Sequence, residues 1–277
     1  MTVTSPSFDA SVAVTHIGTA TVLLEIDGVT FLTDPVFLPP GPHPQKLLDP
    51  QGNPASVDLT ITKGPAIPFE RLPHIDCVLL SHEDHIDNLD DSGRTLLNGR
   101  HVLTTRDGAK NLAPRPAVQG RAPWEKTEIT LNGKTFRFTW TPAEHVPGGE
   151  CTGFIVEYER FGSSGGKPNV LWVSGDTLYT DELRSKLSGY HISIALVNLG
   201  DARAPAGPNG SLISVTMSGH DAASFVRDHH PDVTVPVHFE EWEHFAERDA
   251  ALRESLAKEG VMDKVQFLPR GERVVIA

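Results

Sequence analysis

The chain has 277 residues, 39% of them apolar and 22% charged, an ordinary balance for a folded globular protein that excludes disordered and fibrous classes. Thirty-six acidic against 24 basic side chains give a formal charge of −12, which repels polyanions, so nucleic acid is not expected as a partner. No apolar run reaches the roughly eighteen residues that span a bilayer, and the opening MTVTSPSFDASVAVTH lacks the basic and apolar parts of a signal peptide, so no transmembrane segment and a cytoplasmic location are expected.

From 12 to 34, VAVTHIGTATVLLEIDGVTFLTD is rich in Val, Ile, Thr and Phe and reads as strands, with Asp27-Gly28 as the hairpin turn. The prolines and glycines of the next stretch, 35–54, predict a long loop without regular structure. IDCVLLS at 75–81 suits a strand buried on both faces, followed by helical spacing in NLDDSGRTLLNG with Gly99 as the stop. HVLTT is a strand, EITLNGKTFRFTWTPAEH a hairpin turning at Asn132-Gly133, and TGFIVEYERF and NVLWVSGDT are further strands. Between the last two lies GSSGGKP, which fails as a phosphate-binding loop because its glycine spacing and the residue after its lysine are wrong; it is a strand connector.

The last third alternates ISIALVNL, helical SGHDAASFVRDHH, DVTVPVHF and helical ERDAALRESLAKEG, then ends in two predicted strands, KVQFL and RVVIA. The order, hairpins followed by alternating strands and helices, repeats approximately in each half and implies an α/β protein read as one domain over residues 1–277. Cys77 and Cys151 form no CxxC pair and are expected as buried thiols within strands.

Four apolar strands run out into His, Asp or Glu: LLSHEDHID at 79–87, TWTPAEH ending at His145, LWVSGDT with Asp176, and TVPVHFEEW with His238. Loops at one end of a sheet converge, so groups distant in sequence can meet there. Imidazole and carboxylate together suit Zn²⁺, Mn²⁺ or Fe²⁺, and the lack of thiolate ligands argues for a catalytic rather than a structural ion.

These segments resemble the metallo-β-lactamase superfamily, whose HxHxDH loop follows a buried strand and whose later His, Asp and His ligands each end one. The resemblance covers most of the chain and is nearest to the lactonase-like and N-acyl phosphatidylethanolamine phospholipase D-like branch, whose N-terminal hairpin is similar to GTATVLLEIDGVTFLTDPVF. It implies a four-layer αββα sandwich with one or two divalent ions, zinc first with manganese or iron as alternatives. The HxHxDH loop does not fit directly. Either Asp84-His85 stands for the DH pair, with Leu80 in the place of the first histidine, or His82 is that first histidine and Asp87-Asn88 stands for DH. The second alignment agrees better with the helix that follows; it makes Asp87 a ligand and puts Asn88 where a histidine belongs.

Carried over, the resemblance makes His82, His145 and either Asp84 or His85 ligands of one ion. Asp87, His238 and either Asp84 or His85 become ligands of the other, and Asp176 bridges. Asp84, Asp87 and Asp176 are then also the candidate catalytic carboxylates. His16 is left out of this set, and so are His43, His74, His101, His191, His220 and His244, which have no companions in spacing. Glu83, Glu144 and Glu240 are expected to face solvent or serve the structure. Arg203 and Trp242 are the weaker candidates for binding an anionic or an apolar substrate. The reaction implied is hydrolysis of an ester, lactone, amide or phosphodiester bond in a small molecule by a metal-activated water. An iron-binding oxidoreductase or oxygenase on the same scaffold and a metal-binding protein without catalysis are the alternatives.

Overall fold

The computed structural model describes residues 6, 8–48, 54–146, 149–207 and 210–277. In chain order the strands are β1 (Val12–Gly18), β2 (Thr21–Ile26), β3 (Val29–Thr33), β4 (Gly41–Leu48), β5 (Pro54–Ile61), β6 (Cys77–Leu79), β7 (His101–Thr105), β8 (Val118–Arg121) and β9 (Lys126–Leu131). They continue with β10 (Lys134–Pro142), β11 (Thr152–Tyr158), β12 (Ser163–Ser164), β13 (Lys167–Val173), β14 (His191–Asn198), β15 (Arg203–Ala204), β16 (Ile213–Ser214), β17 (Val233–Val237) and β18 (Val274–Val275). The helices are α1 (Asp91–Leu96), α2 (Arg106–Asn111), α3 (Asp181–Leu187), α4 (Gly219–His229) and α5 (Ala250–Lys258).

One sheet has the order β18-β1-β2-β3-β6-β7-β8 and the other β17-β14-β13-β11-β10-β9, with β12 paired to β13. The period of two along each strand decides what fills the space between them. Val12 and Val14 of β1, Phe136, Phe138 and Trp140 of β10, and Leu171 and Val173 of β13 share one core cluster with Phe31, Leu196 and Val235. The indole N–H of Trp140 crosses that core and donates to the Thr104 carbonyl at 2.7 Å, tying the second sheet to the first. Residues pointing the other way meet the helices. Leu183, Leu187, Phe225, Leu252 and Leu256 pack on Ile155, Trp172 and Val197, while Leu96, Leu97 and Leu112 pack on Leu80 and Val102. The layers are therefore helix, sheet, sheet, helix, the expected αββα sandwich.

Side-chain caps set the helix starts. Asp90 accepts from the Gly93 N–H to open α1, and Ser218 with Asp221 forms a reciprocal capping box on α4. Gly93 has no room for a side chain, since a Cβ there would lie 2.0 Å from the Pro35 carbonyl. The Pro35 segment and α1 thus lie against each other, next to the polar loop after β6.

Two expectations need correcting. The 35–54 stretch is not a loop throughout, because Gly41–Leu48 pairs with Pro54–Ile61 as a two-stranded antiparallel ribbon. Pro42 and Pro44 are two residues apart, so both missing N–H groups fall on the same side of the strand, and a two-stranded ribbon leaves such a side unpaired. KVQFL is not a strand either. It makes one parallel bridge, Thr234 to Val265, and could not extend the ladder past Pro236, which has no N–H to give.

Parallel pairing has a positional consequence. β3, β6 and β7 run the same way, as do β13, β14 and β17, so their C-terminal ends gather along one edge of each sheet. The four polar strand ends lie there.

Candidate metal centre

The loop after β6 carries His82 and His85, and the segment after β10 carries His145. The three side chains bring one nitrogen each within 4.8 Å of the others. His82 Nε2 lies 2.8 Å from His85 Nδ1, which lies 3.1 Å from His145 Nε2. Their outer nitrogens are spoken for. His145 Nδ1 faces the Val215 carbonyl at 2.6 Å, which accepts its proton and leaves the Nε2 lone pair turned inward. His82 Nδ1 lies 2.8 Å from Ser81 Oγ, whose own proton goes to Asp34 Oδ2 at 2.9 Å, so the serine accepts from the imidazole. Asp34 also accepts the Ser81 backbone N–H at 2.7 Å. Burial, with Asp176 nearby, pushes the Asp34 carboxyl up to about 7.

Burial, with His85 and His145 alongside, holds the His82 imidazole well below its ordinary value, and burial also lowers His145. Both are thereby kept neutral, the form that ligates. Three imidazole nitrogens this close form a set of lone pairs that can take up a cation.

A second group adjoins the first. Asp176, after β13, accepts the Asn198 amide on Oδ1 at 2.6 Å. Its Oδ2 lies 3.4 Å from His238 Nε2 and 3.9 Å from His145 Nε2, between the two clusters. Asp87 Oδ2 is 3.5 Å from His238 Nε2 and 3.2 Å from His244 Nε2. Burial disfavours charge on His238, but Asp176 and Asp87 outweigh it and raise the imidazole to about 9. Burial likewise works against the Asp87 carboxylate, yet the His238 and His244 imidazoles facing it hold it well below its usual range. His238 Nε2 is buried and makes no hydrogen bond of good geometry, an orphaned ligand atom facing two carboxylates. The donor set fits divalent metal: three imidazoles gather on one side and carboxylates with imidazole on the other, with Asp176 between them.

His238 is held in an uncommon backbone conformation, φ +59°, by a bond from its N–H to the Thr19 carbonyl at 2.7 Å. Thr19 is thus a clasp between the sheets. His16 Nε2 also bonds the Thr19 carbonyl, at 3.0 Å, and takes no part in the cluster.

Of the residues expected from the sequence, the structure brings together His82, His85, Asp87, His145, Asp176 and His238. Asp84 stands apart: its side chain is exposed, and its carbonyl accepts from Gln45 of β4 at 2.9 Å. The loop therefore offers His85 and not Asp84 to the first cluster. Asn88 is fully buried; with its amide turned so that the N–H groups face the carboxylates it donates to Asp176 Oδ2 at 3.2 Å and Asp87 Oδ1 at 3.1 Å, and turned the other way it donates to Asp34 Oδ2 at 3.4 Å.

Cys77 lies within β6 as expected, but Cys151 precedes β11, with its sulfur 3.4 Å from His82 Nδ1 and donating to the Asp176 carbonyl at 3.2 Å. Glu83 and Glu240 pair with Arg94 and Lys63, and Arg203 is bound to Asp201 at 2.7 Å. Trp242 is fully buried and donates to Thr19 Oγ1 at 3.0 Å.

Sequence reasoning did not single out Asp34, Ser81, Asn198 or His244. Asp34 and Asn198 carry the signal used elsewhere, a polar residue ending an apolar strand, at β3 and β14. His244 carries none, because it lies seven residues beyond the end of β17.

This fold and these clustered ligands define a metallo-hydrolase scaffold of the β-lactamase type. The family model described as the beta-lactamase superfamily domain matches residues 31–239, and the chain belongs to that family. It is 26% identical over 240 residues to N-acyl-phosphatidylethanolamine-hydrolyzing phospholipase D 1 of Caenorhabditis elegans, a match covering 81% of this chain and 59% of that protein's length. Among solved structures it is similar to isothiocyanate hydrolase from Delia radicum gut bacteria, at 18% identity and TM-score 0.73, covering 95% of this chain and 98% of that one. It is also similar to CmlA, a diiron β-hydroxylase from Streptomyces venezuelae, at 16% identity and TM-score 0.60, covering 97% of this chain and 54% of that one.

Proposed function

We propose that the protein is a hydrolase that uses two divalent cations, zinc in preference to manganese or iron, to cleave an ester, lactone, amide or phosphodiester bond of a small molecule. The observation that carries this reading is the position of Asp176 Oδ2 between His145 and His238, beside three inward imidazole nitrogens. His82, His85 and His145 would hold one cation, Asp87 and His238 the other, and Asp176 both. Bound there, the cations supply a water of lowered pKa and a Lewis acid for the substrate oxygen.

The chain's own groups set the protonation states. Val215 and Ser81 fix the tautomers of His145 and His82, so that unprotonated nitrogens face inward. Asp87 and Asp176 supply negative charge that offsets that of the cations, and Asn198 keeps one Asp176 oxygen engaged so that the other points between the clusters.

The surroundings favour a substrate with an apolar part. Ile86 and Val146, next in sequence to His85 and His145, belong to an apolar cluster with the partly exposed Leu38, Leu59 and Ile213. Among the described residues no helix is long and apolar enough to cross a membrane.

The test is hydrolysis of a panel of lactones, aryl esters, phosphodiesters and N-acyl amides by metal-free protein and by protein given Zn²⁺, Mn²⁺ or Fe²⁺. Turnover that appears with metal and disappears with chelator is expected. Undiminished turnover in exhaustively chelated protein would refute the reading. The similarity to a diiron β-hydroxylase motivates a second reading, iron-dependent oxidation; oxygen uptake by the Fe²⁺ form, with none of the panel hydrolysed, would favour it.

A further inference from the structure

We infer that His244 is a ligand of the second cation, taking over the role of the histidine that the superfamily's loop carries where this chain has Asn88. The inference rests on the two-cation reading above and assigns a residue within it.

An amide at position 88 is not an imidazole in kind, because its nitrogen has no lone pair to give, and when it is turned so that its N–H groups meet Asp87 and Asp176 its oxygen faces away from them. Without another donor the second cluster holds a single imidazole, His238, against two carboxylates. His244 supplies the missing nitrogen from a different part of the chain: its Nε2 lies 3.2 Å from Asp87 Oδ2, on the same carboxylate oxygen that faces His238. Asp87 then faces both imidazoles, and with Asp176 beside His238 the set becomes two imidazoles and two carboxylates.

The segment carrying His244 is fastened on both sides. Trp242 bridges to Ile61 at the end of β5 and is tied to Thr19, while Phe245 bridges to Ala202. The His244 carbonyl accepts from the Arg203 N–H at 3.3 Å. The Phe245 ring lies 4.4 Å from that of His238 and 4.7 Å from that of His244, filling the space beside both. With its neighbours locked, the imidazole is held toward Asp87 at little further entropic cost. Its side chain is 20% exposed, so this edge of the cluster is the one nearest to solvent.

A histidine that only hydrogen-bonds Asp87 would give the same distance, and replacement by Gln separates the two roles, since Gln keeps an N–H donor but no imidazole lone pair. Metal-free wild type, His244→Ala, His244→Gln and the double variant Asn88→His with His244→Ala would be titrated with Zn²⁺ against a chromophoric chelator. Co²⁺ would be titrated in parallel, following its visible absorption, and thermal melts of the metal-free forms would check folding. Two tight equivalents are expected for the wild type. Both single variants should keep one and weaken the second at least about 100-fold, and the double variant should recover much of that loss. Two undiminished equivalents in His244→Gln would overturn the assignment while leaving the two-cation hydrolase intact. One tight equivalent in the wild type would also overturn it, leaving hydrolysis to the His82, His85 and His145 cluster alone. No tight equivalent and no hydrolysis in the wild type would sink the proposed function along with it.

Discussion

Replacing Asp176 by Asn tests whether one carboxylate serves both clusters. The substituted amide oxygen can still accept from Asn198, so the change removes charge and a ligand oxygen with little change in shape. Its effect on the metal-free protein is expected to be small, about 1–2 kcal/mol, because the lost attraction to His238 is partly offset by relief of repulsion with Asp34. The effect on metal linkage is large. A ligand at one hundred times its Kd stabilises the folded state by about 2.7 kcal/mol. With about 2.1 cal/mol/K of unfolding entropy per residue over 277 residues, that gain raises Tm by about 5 °C. If Asp176→Asn weakens binding about 100-fold, the gain at the same metal concentration falls to about 0.4 kcal/mol and the shift to under about 1 °C. Differential scanning fluorimetry of wild type and variant across a Zn²⁺ series reads both quantities. A full wild-type shift in Asp176→Asn, with turnover retained, would refute the shared-carboxylate argument.

Trp140→Phe removes the indole bond between the sheets and opens a small void, at an expected cost of about 2–4 kcal/mol; a lower urea midpoint at unchanged slope would show it, and an unchanged midpoint would count against it. Gln45→Ala removes the bonds by which β4 holds the metal loop, one to the Asp84 carbonyl and one at 2.7 Å from the Ile86 N–H, so exchange of the Ile86 amide should speed up by about tenfold or more by mass spectrometry. Burial pushes His229 down to about 4 from its ordinary 6.5, so between those values the unfolded chain binds the extra proton and stability falls as pH falls. His229→Gln, which cannot titrate, should therefore lose less Tm than wild type between pH 6.5 and 4.5; parallel Tm curves would show that this histidine contributes nothing to acid sensitivity.

Local chemistry was enough for most of the strands and for the kind of site. Period-two patterns in VAVTHIG and KTFRFTW already say which side chains face a core, and Asp27-Gly28 and Asn132-Gly133 mark their turns. An imidazole or carboxylate straight after an apolar strand is a local signal too, which is why His82, His145, Asp176 and His238 could be singled out from the sequence. The prolines of 35–54 misled because their effect depends on whether the affected N–H faces a partner strand, and that is a property of the ribbon and not of the residue.

Which of Asp84 and His85 lies beside His82 and His145 is a matter of tertiary structure, since Gln45, some forty positions earlier, grips the loop and turns Asp84 out. His244 lies beside Asp87 for the same kind of reason. It approaches Asp87 only because Trp242 is pinned to the β1–β2 turn and Phe245 to Ala202, contacts between segments far apart along the chain. Spacing along a strand reports which face a side chain occupies; where two such faces meet depends on how the sheets and their connections pack, and no single segment carries that information.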